Sequence, residues 1–179
     1  MRAKKINGLQ TNKNWYPWNI CDDNIFIGNE LNGYEFLVYN FDGTLIRRIK
    51  KEYKPIAVSE IIKQSVKKAI LRPDLEQFNL KDKIHFPKHM PPFQYFFTDD
   101  VGRLYVMTNE EGENPGEFIY DIFNTEGIFT GRISLNNSGN MLNSKWGGPF
   151  EVKAKKELLY LLRKKKNDFK ELVVYKMNW

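Results

Sequence analysis

The sequence of 179 residues has one cysteine, Cys21, and two histidines, His85 and His89. A lone cysteine cannot close an internal disulfide, and no Cys/His cluster has the spacing of a zinc site, so redox-pair and structural-zinc chemistry drop out. No apolar run approaches the roughly 20 residues that span a bilayer, so no membrane span is expected. Met1-Arg-Ala-Lys-Lys has the charge of a signal-peptide start, yet Asn7 to Asn14 is polar where a signal needs an apolar run. As written, the chain is expected to carry no signal peptide and to be cytoplasmic; the compartment of a longer parent stays open.

Catalytic sets are equally scarce. No Ser/His/Asp triad, nucleophile elbow or acid/base carboxylate pair can be assembled, and no catalytic residue, metal ligand or cofactor is expected. His85 and His89 are four apart, a spacing that suits zinc on a helix, but Pro87 between them argues against a helix there. They read as surface or hydrogen-bonded histidines. Gly112-Glu113-Asn114-Pro115-Gly116 is turn-rich but lacks the Lys-Ser/Thr pair and the strand-to-helix context of a phosphate loop.

Aromatic residues make up 15% of the chain and hydrophobic ones 41%, which favours a folded β-rich protein over a disordered one. The net charge of +6 gives general attraction to acidic surfaces. Lys153, Lys155, Lys156, Arg163, Lys164, Lys165, Lys166 and Lys170 concentrate it near the C-terminus. A reader of single-stranded nucleic acid would interleave such charges with exposed stacking aromatics. Here the aromatics follow the strand pattern, so the charges read as a solvated rim and nucleic acid is not the expected partner.

The stretch from Phe93 to Leu135 organises the rest. It holds four short aromatic and β-branched runs separated by Gly, Asn and Asp clusters, the pattern of a four-stranded antiparallel meander. A similar order precedes it: Trp15 to Ile20, Ile25 to Ile27, Tyr34 to Phe41 and Thr44 to Ile49, with Asp42-Gly43 as a strong hairpin turn matched later by Glu126-Gly127. A third unit offers Phe150 to Ala154, Leu158 to Leu162 and Leu172 to Tyr175. Between the first two units, Val58, Ile61, Ile62, Val66, Ala69 and Ile70 fall at helical spacing, predicting an amphipathic helix that ends near Arg72-Pro73 and docks on the outside of the strands. Asp74 to Leu80 adds a short second helix, and Ile6 to Leu9 can pair as an edge strand.

Repetition of one meander is the mark of an array, here read as an all-β, partial β-propeller of about three four-stranded blades with one inserted helix. The whole chain 1–179 is read as one partial propeller domain: blade 14–50, helical insertion 56–80, blade 93–135 and last blade 149–179. The second strands, Ile25 to Ile27, Leu104 to Met107 and Leu158 to Leu162, are apolar at consecutive positions, as expected of strands covered on both faces.

The run Thr98-Asp99-Asp100-Val101-Gly102-Arg103-Leu104-Tyr105-Val106-Met107-Thr108, followed by Tyr120-Asp121-Ile122-Phe123-Asn124-Thr125-Glu126-Gly127 and the ending Lys170-Glu171-Leu172-Val173-Val174-Tyr175-Lys176, resembles the six-bladed β-propeller family of bacterial proteins related to NHL-repeat propellers. The resemblance runs from Trp15 onward and implies the C-terminal half of a six-bladed ring. The expected partners are therefore a missing propeller half or a second copy, beside an unknown ligand or protein.

Asp22-Asp23 and Asp99-Asp100 occupy equivalent turns. Paired carboxylates suit calcium, but Asp is also what a tight turn needs for its backbone, and the turn reading is preferred. The leading function is a non-enzymatic binding or interaction scaffold. One alternative is a calcium-dependent hydrolase of the lactonase or esterase kind, as in some propellers that hold calcium in the channel; the inner strands here supply only Asn19, Gln94 and Glu151 for such a site. Another is a truncated product without independent function. Loops joining blades and those between second and third strands share a face, where ligand contacts are expected from His89, Glu113, Asn114, Asn140, Trp146 and Lys165.

Overall fold

Each aromatic or β-branched run forms a strand where Asp, Asn or Gly lets the chain reverse. The computed structural model describes residues 9–10, 17–71, 84–136, 151–164 and 169–177. The strands are β1 (Leu9–Gln10), β2 (Trp18–Cys21), β3 (Asn24–Gly28), β4 (Glu35–Asn40), β5 (Leu45–Lys50), β6 (Ile84–His85) and β7 (Tyr95–Thr98). After them come β8 (Leu104–Glu111), β9 (Glu117–Phe123), β10 (Phe129–Asn136), β11 (Glu151–Lys155), β12 (Leu158–Lys164) and β13 (Lys170–Lys176). One helix, α1 (Glu60–Ile70), is described.

The chain divides into two compact units, one of Met1–Trp15 with Lys54–Pro91, the other of Tyr16–Tyr53 with Pro92–Trp179. In the first, β1 pairs in parallel with β6, and Ala57 bridges His89. Ser59 caps α1, its hydroxyl accepting from the Ile62 N–H, while Glu60 in the first turn and Lys67 and Lys68 in the last suit the helix dipole. Ile62, Val66 and Ile70 are half-buried along one stripe. Ile61, expected on that stripe, is 77% exposed, because the stripe repeats at i, i+4 and i+8 and Ile61 falls beside it. The expected helix at Asp74 to Leu80 and residues 6 to 8 of the expected edge strand lie outside the described residues.

The second unit consists of three antiparallel sheets in simple up-and-down order: β2-β3-β4-β5, β7-β8-β9-β10 and β11-β12-β13. Asp42-Gly43 turns β4 into β5, with the Asp42 carboxylate accepting from the Thr44 N–H and Gly43 at φ +85°. The Asn124 side chain does the same for β9 and β10, accepting from the N–H groups of Glu126 and Ile128. Among the described residues the third sheet has three strands, one short of the other two.

The middle sheet is buried on both faces. From β8, Leu104 and Val106 enter a core with Phe26, Phe36 and Val38 of the first sheet. The alternate residues Tyr105 and Met107 enter a second core with Val152, Ala154, Leu159 and Leu161 of the third. The expectation of double coverage therefore holds for Leu104 to Met107. It does not hold for β3 and β12, where buried Phe26, Leu159 and Leu161 alternate with half-buried neighbours, since among the described residues each outer sheet packs on the middle sheet with one face.

Candidate binding cleft

The first strands of the three sheets, β2, β7 and β11, run beside one another and line an open cleft of about 990 Å³. Its floor is made of hydrogen bonds that cross from sheet to sheet. Asn19 Nδ2 donates to Thr98 Oγ1 at 3.2 Å, and the Cys21 thiol donates to the Asp99 carbonyl at 3.0 Å. Burial pushes the Cys21 thiol above its ordinary pKa. On the other side, the Asp100 carboxylate accepts from the Lys156 N–H at 3.0 and 3.2 Å.

Asp99 is the buried carboxylate of the cleft, and its oxygens are already engaged. Oδ1 accepts from the N–H groups of Val101 and Arg103; Oδ2 accepts from Arg103 Nε at 2.6 Å and from the Tyr105 hydroxyl at 3.2 Å. The Tyr105 phenol is pushed upward by burial first and by the Asp99 charge next. The turn is thus held by the Asp99 side chain, as the backbone demands of an Asx-type reversal. The cleft is also lined by Tyr95, Phe97, Tyr160 and Leu162, together with the charged Lys153, Lys155 and Asp22. Burial raises the Tyr95 phenol as well. Aromatic walls with a few charged groups are the chemistry of a binding surface.

Of the inner-strand residues singled out in the sequence, Asn19 lines the cleft. Gln94 is turned to its own sheet, its Nε2 donating to the Thr108 carbonyl at 2.8 Å. The backbone of Glu151 opens β11, and its side chain lies outside the described residues. Among the described residues there is no group of three or more His, Cys, Asp or Glu arranged to hold a metal ion.

The residues expected on the loop face are only partly described. His89 is exposed in the first unit, whereas Glu113 and Asn114 are exposed in the loop between β8 and β9 of the second. Asn114 Nδ2 donates to the Glu117 carboxylate at 2.8 Å, closing that loop and helping to hold Glu117 below the usual carboxylate range. Asn140, Trp146 and Lys165 lie outside the described residues. Cys21, Thr98 and Tyr160 line the cleft as well. None is an inward carboxylate or amide, and the polar Thr98 ending the apolar run Tyr95 to Phe97 is the one sequence signal for them.

A second polar site joins the first two sheets away from the cleft. Asp121 is buried and accepts from the Tyr34 hydroxyl, from Lys51 Nζ and from Arg132 Nε; Arg132 in turn grips Glu110 with both terminal nitrogens. Burial and the Asp121 charge push the Tyr34 phenol far upward. Charge pairing of this density fixes how two sheets meet.

The chain matches no protein-family model, and no curated protein sequence is similar to it.

Proposed function

We propose that the chain is a non-enzymatic binding module, a partial β-propeller whose ligand rests in the cleft formed by the first strands. The observation that carries this reading is the state of Asp99. A catalytic or metal-binding carboxylate needs oxygens open to substrate or ion, and those of Asp99 accept from two backbone N–H groups, Arg103 and Tyr105. Tyr95, Tyr160, Lys153 and Lys155 suit recognition of a ligand with an apolar or aromatic body and an anionic end. The propeller reading is supported by three meanders stacked in sequence order with their first strands adjacent. It is also supported by large apolar side chains exposed on the far faces of the outer sheets, Trp18 and Ile20 on the first and Leu172 and Val174 on the third.

The test pairs binding with turnover. Aromatic carboxylates and acidic peptides, screened by thermal shift, are expected to give a ligand whose affinity falls at least tenfold in Tyr160→Ala. Hydrolysis of p-nitrophenyl acetate and of a γ-lactone, with calcium present, is expected to stay at the buffer rate. Calcium-dependent turnover above that rate would replace the binding reading with the hydrolase one.

A further inference from the structure

The turn that joins β11 to β12 is built from residues that resist its shape. Lys155 pairs with Leu158, so the turn holds two residues, and both are left-handed, Lys156 at φ +50° and Glu157 at φ +60°. Two-residue hairpins favour Asn-Gly because a Cβ disfavours this conformation, and neither Lys nor Glu offers that relief. The corresponding turn of the middle sheet meets the demand with Gly102 at φ +87°. A left-handed pair without glycine persists where its surroundings fix it.

Two hydrogen bonds from outside the turn do the fixing. The Met177 N–H, just past β13, donates to the Glu157 carbonyl at 2.8 Å. The Lys156 N–H, left over from the pairing of Lys155 with Leu158, donates to both oxygens of Asp100 at 3.0 and 3.2 Å. Asp100 belongs to the β7-β8 turn, so this second bond clamps the third sheet's turn to the middle sheet. What it places is cationic. In β11, Val152 and Ala154 enter the second core, while Lys153 and Lys155 are exposed and line the cleft, Lys155 being next to the clamped N–H. Granted that the ligand rests in this cleft, we propose that Asp100 is its positioning residue: the carboxylate holds the Lys156-Glu157 turn and so sets Lys155, and with it Lys153, against the anionic end of the ligand. Charge alone predicts the opposite. Asp100 lines the same cleft, so loss of its negative charge would by itself tighten the hold on an anion.

Anilinonaphthalene sulfonate, an aromatic body with an anionic end, and the uncharged phenylnaphthylamine serve as probes. Both are titrated by fluorescence into the parent chain and into variants confirmed folded by circular dichroism, with binding lost in Tyr160→Ala counted as binding in the cleft. Asp100→Ala is expected to lose at least tenfold in affinity for the sulfonate and less than threefold for the uncharged probe. Asp100→Asn keeps an acceptor oxygen but sheds the charge, and is expected to bind the sulfonate at least as tightly as the parent. Lys156→Asn with Glu157→Gly leaves the net charge unchanged and takes the turn unaided. In that background Asp100→Ala is expected to cost no affinity. If Asp100→Ala fails to fold, the shorter Asp100→Ser replaces it. A parent that binds the sulfonate while Asp100→Ala binds it as tightly or more so overturns the positioning role and leaves the cleft standing. Equal losses of both probes, or a loss undiminished in the Asn-Gly background, do the same. A parent that binds neither probe overturns the cleft reading, and the clamp is then judged by hydrogen exchange at the Lys156 amide. Exchange at least tenfold faster in Asp100→Ala upholds the clamp, and equal rates overturn it as well.

Discussion

The Tyr34 hydroxyl donates to the Asp121 carboxylate at 2.7 Å across 87 positions of sequence, tying the first sheet to the second. Lys51 and Arg132 hold the same carboxylate, so the tyrosine is one of three donors to a single buried acceptor. Tyr34→Phe removes one donor and leaves Asp121 satisfied, at a cost of about 1 kcal/mol. Asp121→Ala strands Tyr34, Lys51 and Arg132 together and is expected to cost about 3 kcal/mol. Urea unfolding of the two variants checks the order; a larger loss for Tyr34→Phe would contradict the network.

Two glycines separate backbone strain from packing. Gly43 and Gly127 have φ of +85° and +79°, but a Cβ on Gly43 meets nothing within 4 Å, whereas one on Gly127 meets Ile49 Cγ1 at 2.7 Å. Gly43→Ala is expected to cost about 1 kcal/mol for the left-handed backbone alone. Gly127→Ala adds overpacking of about 1–3 kcal/mol. Equal losses in thermal unfolding would mean that the β9-β10 turn does not pack on β5.

Glu30 and Glu35 are expected to drive stability in opposite directions with pH. Burial pushes the Glu30 carboxyl from 4.5 up to about 7, so the folded chain binds more protons than the unfolded one between those values. Its contribution is present below about 4.5 and is lost as the pH rises through 7. Burial alone would raise Glu35 too, but hydrogen bonds from Asn32, Lys50 and Asn29 outweigh it and hold that carboxyl below 4.5. Its contribution is present above the ordinary value and is lost on acidification through the lowered one. Glu30→Gln is thus expected to be more stable than the parent at pH 8, with the gap closing toward pH 4.5, and Glu35→Gln less stable at pH 8. Urea midpoints at both pH values decide each case.

Cys21 should be slow to react. Its thiol is buried, raised in pKa and bonded to the Asp99 carbonyl. Modification by a disulfide reagent at pH 8 is expected to run at least 100-fold slower in buffer than in denaturant. Because Cys21 lines the cleft, a bound ligand should slow it further. Rates that match in buffer and denaturant would mean that the cleft floor opens readily.

What could be read in the sequence was local. Asp42-Gly43 and Gly127 mark their hairpins because positive φ has a residue signature, and Val58 to Ile70 shows its helix through its apolar period, while the Ser59 cap emerges only from the structure. The sheets themselves were visible as apolar runs. Their neighbours were not: nothing near Tyr34 announces Asp121, and nothing in Tyr160 says that it shares a cleft with Asn19. Double coverage was expected of three second strands and belongs to one, because burial of a second face depends on what lies beyond the sheet. The reading of Asp99-Asp100 as a turn agrees with the hydrogen bonds, while the capture of Asp99 by Arg103 and Tyr105 appears only once the side chains are placed.

Alternation usually fixes the alignment of a strand, since a slip of one residue would send polar side chains into the core and apolar ones out. Leu104 to Met107 has no such safeguard. Both neighbouring sheets accept apolar side chains there, and sliding β8 by one position would exchange one hydrophobic set for another. Alignment must then be enforced from the end of the strand, by the carboxylate that gathers the N–H groups of Val101 and Arg103 and by Gly102 at φ +87°. The buried acid of the cleft thus acts as the hairpin's index mark, counting residues where hydrophobicity cannot.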